Sequence, residues 1–226
     1  MITVELMGGL GNQLFQVFAV LGHALQYNMQ FAFLDKQLEH GWRRTTYWNS
    51  FLERLQPYLR SPQTLQIIDI MRERQFYYAE IPLHLGNVNT CLLGYFQSWK
   101  YFDHCKAQIF ELLALEKKQQ TVREKLLSQW VNLDYSISMH FRMGDYKNLQ
   151  NHHPIMPVAY YRKALTELLL LTGKHDWTCM VVCEDEDIDY VQEKINILKE
   201  EFPNIQFQRL EGHLEDWEQM LAMSLC

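Results

Sequence analysis

Ile137-Ser138-Met139-His140-Phe141-Arg142-Met143-Gly144-Asp145-Tyr146 (ISMHFRMGDY) decides the architecture. Ile137, Met139 and Phe141 alternate with Ser138, His140 and Arg142, the two-residue period of a strand with two unlike faces. Gly144 and Asp145 then impose a turn. A histidine and an arginine at such a strand end sit where open α/β sheets hold ligands, beyond the carboxyl ends of the strands. Arg142 brings a planar five-donor fork suited to phosphate or carboxylate. The same residues also fit a strand that ends in solvated surface charge.

Outward from this stretch the second half alternates regularly. The pattern predicts a strand over 135–142, a helix from Pro157 to Thr172, and a strand over Thr178–Cys183. Pro157 suits a helix start and Gly173 a helix end. The acidic turn Glu184-Asp185-Glu186-Asp187 follows, then a helix to Glu201, a strand over Ile205–Leu210 and a helix from Glu215. That is β-α-β-α-β-α, a doubly wound half-sheet. Asp185 is placed to accept from a base or ribose, or equally to stabilise a helix start.

The first half opens with an apolar strand, Ile2–Leu6, and the glycine-rich turn Met7–Gly11. A helix from Asn12 to Tyr27 is expected, with Leu14, Phe18, Leu21 and Leu25 on one face, then a strand over Gln30–Leu34. Strand, glycine loop, helix and strand make a βαβ unit. Its helix N-terminus favours an anion, with Asn12 as a helix cap the plainer alternative. The partial Gly9-x-Gly11 has Leu14 at the third glycine position, which argues against an NAD-dependent oxidoreductase. Trp42, Tyr47, Trp48 and Phe51 cluster near Arg43 and Arg44, as core or as a sugar-stacking surface. A strand over Cys91–Phe96 and helices over Lys106–Leu115 and Gln120–Trp130 complete this half.

Composition narrows the class. Hydrophobic residues make up 48% and charged residues 21% of 226, ordinary for a globular protein of one large or two small domains. A net charge of −6 without a basic stripe argues against nucleic acid. No apolar run is long enough for a transmembrane helix, and Met1 leads into a strand without signal-peptide regions, so a cytoplasmic chain is expected. Five cysteines without a C-x-x-C speak against a disulfide framework or zinc site, and Cys179 and Cys183 are expected as buried thiols on one strand face.

His140-Phe141-Arg142-Met143-Gly144-Asp145-Tyr146 resembles the His-x-Arg-Arg-Gly-Asp-Tyr motif of the α-1,2-fucosyltransferases (glycosyltransferase family 11), with Met143 in place of the second arginine. Gly8-Gly9-Leu10-Gly11-Asn12-Gln13 resembles the family's N-terminal block, and Gly94-Tyr95-Phe96-Gln97-Ser98 its Gly-Tyr-Phe-Gln-Ser segment. At the acidic turn the family has Ser-Asp-Asp, so of these acids only Asp185 is carried over. The resemblance implies a GT-B arrangement: two Rossmann-like domains facing a cleft, residues 1–130 on the acceptor side and 131–226 holding the GDP-sugar. It implies transfer of fucose from GDP-β-L-fucose to the 2-hydroxyl of a terminal galactose, inverting and without metal or cofactor. Arg142 and Asp145 are then the catalytic candidates, and Gly9, Gly11, Asn12, Gln13, His140, Arg142 and Asp185 the donor-binding ones. Asp145, His152 and His153 are candidates for a general base, the histidine pair reading more simply as exposed. Lacking the anchor of animal members, the chain looks more like the bacterial or viral kind. The family pattern continues into a Ser-rich segment with a Trp pair, and this chain stops at Ala222–Cys226 short of it. That shortening and Met143 support the alternative of a non-catalytic or decayed sugar-nucleotide-binding protein.

Overall fold

The computed structural model describes residues 1–35, 45–83, 88–127, 133, 135–210 and 214–226, with the side chain of Asp145 outside the described set. Trp42, Arg43 and Arg44 of the aromatic cluster also lie outside it, as does the boundary expected between 130 and 131. Contacts divide the chain into two compact units, Met1–Lys118 and Gln119–Cys226. The result is a mixed α/β protein built on small parallel sheets.

In unit 1, β1 (Ile2–Val4) runs to the glycine loop and α1 (Leu10–Gln26), followed by β2 (Phe33–Leu34) and β3 (Leu59–Arg60). The short helix α2 (Pro62–Leu65), β4 (Asp69–Arg72) and β5 (Thr90–Leu93) follow. Helices α3 (Lys106–Leu112) and α4 (Leu115–Leu127) come next, α4 running across the division between the units. Every pairing is parallel: β1 with β5, β5 with β4, and β2 with β3. A parallel bridge between Ile2 and Phe31 joins the two strips. The spatial order is therefore β3-β2-β1-β5-β4, and the chain reverses its winding at β1. Such a reversal opens a crevice at the carboxyl ends of the strands.

Helix α1 has the expected period on a shifted seam. Leu14, Val17, Leu21 and Ala24 are buried, whereas Leu25 is 38% exposed. Phe18 turns to Phe102, edge-on with ring centres 5.1 Å apart. The helix is covered by the sheet and also by the segment after β5, so a wide band of it is apolar. β1 and β5 are shorter than the sequence predicts, because their last residues turn into loops.

Unit 2 follows the predicted alternation: β6 (Ser136–Phe141), α5 (Val158–Thr172), β7 (Trp177–Cys183), α6 (Ile188–Glu201), β8 (Ile205–Arg209) and α7 (Asp216–Met223). The order β6-β7-β8 is parallel throughout, with Phe141 opposite Cys183. Pro157 stands at the cap of α5 and Gly173 ends it. Met139, Phe141, Cys179 and Val181 pack against Tyr161, Leu165, Val191, Ile195 and Leu198. Each aliphatic, methionine or phenylalanine side chain among them contributes about 1.5–3 kcal/mol on burial. Cys179 is buried as expected, but Cys183 is only half-buried because it ends its strand at the sheet edge. Burial pushes the Cys179 thiol up to about 12, so it stays protonated.

Candidate functional site

The carboxyl edge of the unit 2 sheet carries the ISMHFRMGDY stretch. Arg142 is the first residue past β6 and is exposed. Its guanidinium lies over the Tyr146 ring, 4.8 Å from the centre. Tyr146 in turn stacks on His153, with centres 4.5 Å apart and planes 17° apart. The stack holds the guanidinium plane by cation–π attraction, while the residue as a whole stays exposed. His152 and His153 are both exposed, as the simpler reading had it. His140 is exposed in part, and loss of hydration followed by the Arg142 charge lowers its pKa. The ring is therefore neutral at pH 7.

Met143 points the other way. It is 3% exposed and belongs to the unit 2 core. Gly144, with φ of 26°, follows and turns the chain away from the sheet. Its N–H donates to Oδ2 of Asp187 at 3.1 Å. The Lys147 ammonium pairs with Oδ1 of the same carboxylate. Burial acts to raise the Asp187 pKa, but the Lys147 hydrogen bond and the Gly144 amide outweigh it and hold the carboxyl below its ordinary value.

Sequence reasoning singled out Asp185 from this turn. The structure places Asp185 with its side chain 95% exposed, 3.3 Å from the Arg209 guanidinium at the end of β8. Asp187, which was not singled out, is the acid that ties the arginine loop to β7. Its signal was its place at the start of α6, one residue before Ile188. Carboxylate oxygens of Glu184, Glu186 and Asp187 lie within 4.8 Å of one another. Lys147 already places its positive charge there, on Asp187 and 3.9 Å from Glu186.

At the unit 1 crevice, Gly9 caps α1 and no side chain closes the helix N-terminus among the described residues. Asn12 is therefore not the cap. It sits inside the first turn, and its Oδ1 accepts from Nε2 of Gln97 at 2.6 Å, 85 residues on. A Cβ at Gly9 or Gly11 would meet open space, so both glycines border room for a ligand. Gln13 is fully buried. Its amide donates to the carbonyls of Gly8 at 3.0 Å and Thr45 at 2.9 Å. Gln16 clasps Met7 from both sides, accepting from its N–H at 2.9 Å and donating to its carbonyl at 3.1 Å. Both glutamines brace the loop from beneath. Gln97 belongs to the Gly-Tyr-Phe-Gln-Ser segment, and its bond to Asn12 depends on a fold that pairs β1 with β5.

Fold and edges together define a class: an α/β protein of parallel sheets whose strand ends present a glycine loop, an asparagine and an arginine. No protein-family model matches the chain. Curated proteins do match. A galactoside 2-alpha-L-fucosyltransferase of Caenorhabditis elegans is 30% identical over 185 residues, covering 74% of this chain and 44% of the relative. A second of that name and organism is 26% identical over 168 residues, covering 67% of this chain and 44% of the relative. The chain is thus a relative of the galactoside 2-alpha-L-fucosyltransferases, as its motifs indicate. It spans less than half the length of these two, both of which come from an animal. Among the described residues no helix is long and apolar enough to cross a membrane.

Proposed function

We propose that the chain carries the catalytic machinery of a fucosyltransferase: GDP-β-L-fucose as donor, the 2-hydroxyl of a galactose-terminated glycan as acceptor, and inversion at the transferred carbon. The two units would form the halves of a GT-B cleft. The observation that carries the reading is Arg142, exposed at the carboxyl end of β6 within a motif shared with fucosyltransferases.

As the sugar–phosphate bond breaks, negative charge grows on the departing GDP. A cation preorganised at that oxygen is worth on the order of 10²–10³ in rate. Arg142 supplies it in this reading, steadied by Tyr146. Lys147 sits on the nearby carboxylates, which supports a reaction run without metal. Gly9, Gly11 and Asn12 line open space at a helix N-terminus and suit the pyrophosphate or the sugar. His140, neutral, shapes the donor side. Asp145 aligns Arg142 or serves as base, and His152 and His153 are further candidates for the base. Asp185 would reach the base or ribose.

Calorimetric titration of the 226-residue chain with GDP, then GDP-fucose, tests the proposal. Micromolar binding that survives a chelator is expected, followed by transfer to a galactoside. A folded chain that binds neither would replace this reading with that of a decayed transferase.

A further inference from the structure

We infer that Glu73 is a positioning residue for the unit 1 crevice: its carboxylate shapes the turn after β5 so that Gln97 reaches Asn12 and sets which end of the Asn12 amide meets the glycine loop. The inference rests on the reading that Asn12 contacts the donor.

Glu73 follows β4, and its own N–H donates to the carbonyl of Leu93 at 2.9 Å, carrying the β4–β5 ladder past Arg72. One carboxylate oxygen, Oε2, accepts from the N–H of Tyr95 at 2.7 Å and of Phe96 at 3.0 Å. Two successive amides aimed at one oxygen require a bent backbone. Phe96 supplies the bend, with φ of 51°, a left-handed conformation that bulky side chains rarely adopt. Its ring is 1% exposed and packs edge-on to Tyr101, 5.5 Å between centres. Gly94 is the counterpart of Glu73. A Cβ there would lie 2.3 Å from the glutamate Cβ, so only glycine lets the carboxylate lie over the turn.

The bend delivers Gln97. Its Nε2 donates to Asn12 Oδ1 at 2.6 Å, which commits the acceptor end of that amide. The donor end, Nδ2, then lies over Gly8, where a Cβ would come within 2.3 Å of it. The glycine loop thus receives an N–H₂ group suited to a phosphate oxygen. Glu73 touches no ligand in this scheme and acts only through Gln97.

The test uses the whole chain and two readouts. The first is the ¹⁵N resonance of the Gln97 side-chain amide. The second is GDP-fucose affinity. Glu73→Ala should move the Gln97 signal to that of a free amide and weaken GDP-fucose about tenfold, the worth of one hydrogen bond to a charged group. Glu73→Gln, which keeps an accepting oxygen, should restore both. Gln97→Ala should weaken binding equally, and the double variant should bind no worse than either single one. If Glu73→Ala does not fold, Glu73→Asp, shorter by one methylene, should show the same two changes. An unmoved Gln97 signal, or additive losses in the double variant, would overturn the inference. A wild-type chain that ignores GDP-fucose while its Gln97 signal answers to Glu73 would instead overturn the donor reading and leave the positioning role standing.

Discussion

The backbone N–H of Gly144 donates to the carboxylate of Asp187, whose side chain is wholly buried. This one carboxylate joins the loop that carries Arg142 to the turn after β7. Asp187→Ala should cost about 1–3 kcal/mol, because it strands a backbone amide and a lysine charge. The loss has a pH signature. The folded pKa of Asp187 is depressed, so its contribution is full above the ordinary carboxylate value and fades as pH falls through the folded value. Urea unfolding of Asp187→Asn should therefore show a stability deficit at pH 7 that shrinks toward pH 3. A deficit independent of pH would count against this account.

Arg142 is exposed and touches only the Tyr146 ring among the described contacts. Arg142→Ala should leave the thermal midpoint within a degree or two, while turnover falls on the order of 10²–10³. Arg142→Lys should rescue little, since an ammonium lacks the fork. Near-normal transfer by the alanine variant would sink the mechanism.

Met143 stands where the family has a second arginine, which invites a repair. The structure predicts that repair to fail. The side chain is 3% exposed within an apolar core, and a guanidinium there would be buried without a partner. Met143→Arg should lower the thermal midpoint sharply and leave GDP affinity no better. Tighter GDP binding by a stable Met143→Arg protein would show the prediction wrong.

Asn12 and Gln13 are neighbours with different expected phenotypes. Asn12→Ala should weaken donor use and spare stability, because the side chain is only half-buried beside open space. Gln13→Ala should lose two hydrogen bonds to loop carbonyls and cost about 1–3 kcal/mol. Denaturation midpoints and donor KM, measured side by side, separate the two.

His23 lies inside α1, 4% exposed, with Nε2 unpaired. Burial lowers its pKa, so the unfolded chain binds a proton more readily. Its contribution is present above the unfolded value of about 6.5 and is lost as pH falls through the lower folded value. Stability should decline from pH 7 toward pH 5, and His23→Leu should flatten that decline. An unchanged slope in the variant would assign the decline to other groups.

Much of this was legible in the chain. The period of two in Ile137–Phe141 and the period of three to four in α1, α5 and α6 depend on local backbone geometry, which a linear sequence records directly. So did Pro157 and Gly173, whose own backbone preferences mark helix ends. The motif around Arg142 was legible for the same reason, since its residues are adjacent. What the tertiary structure decided involves partners far apart in sequence. Met143 went to the core and Arg142 to solvent just past the end of β6 at Phe141, where the chain leaves the sheet. Asp187 rather than Asp185 became the buried acid because Gly144, in the loop after β6, brings its N–H to the turn after β7. Gln97 met Asn12, and Glu73 met Tyr95 and Phe96, because β5 pairs in parallel with both β1 and β4. Local pattern sets which elements form, whereas the register between strands sets which side chains share an edge, and that register is a property of the packed sheet.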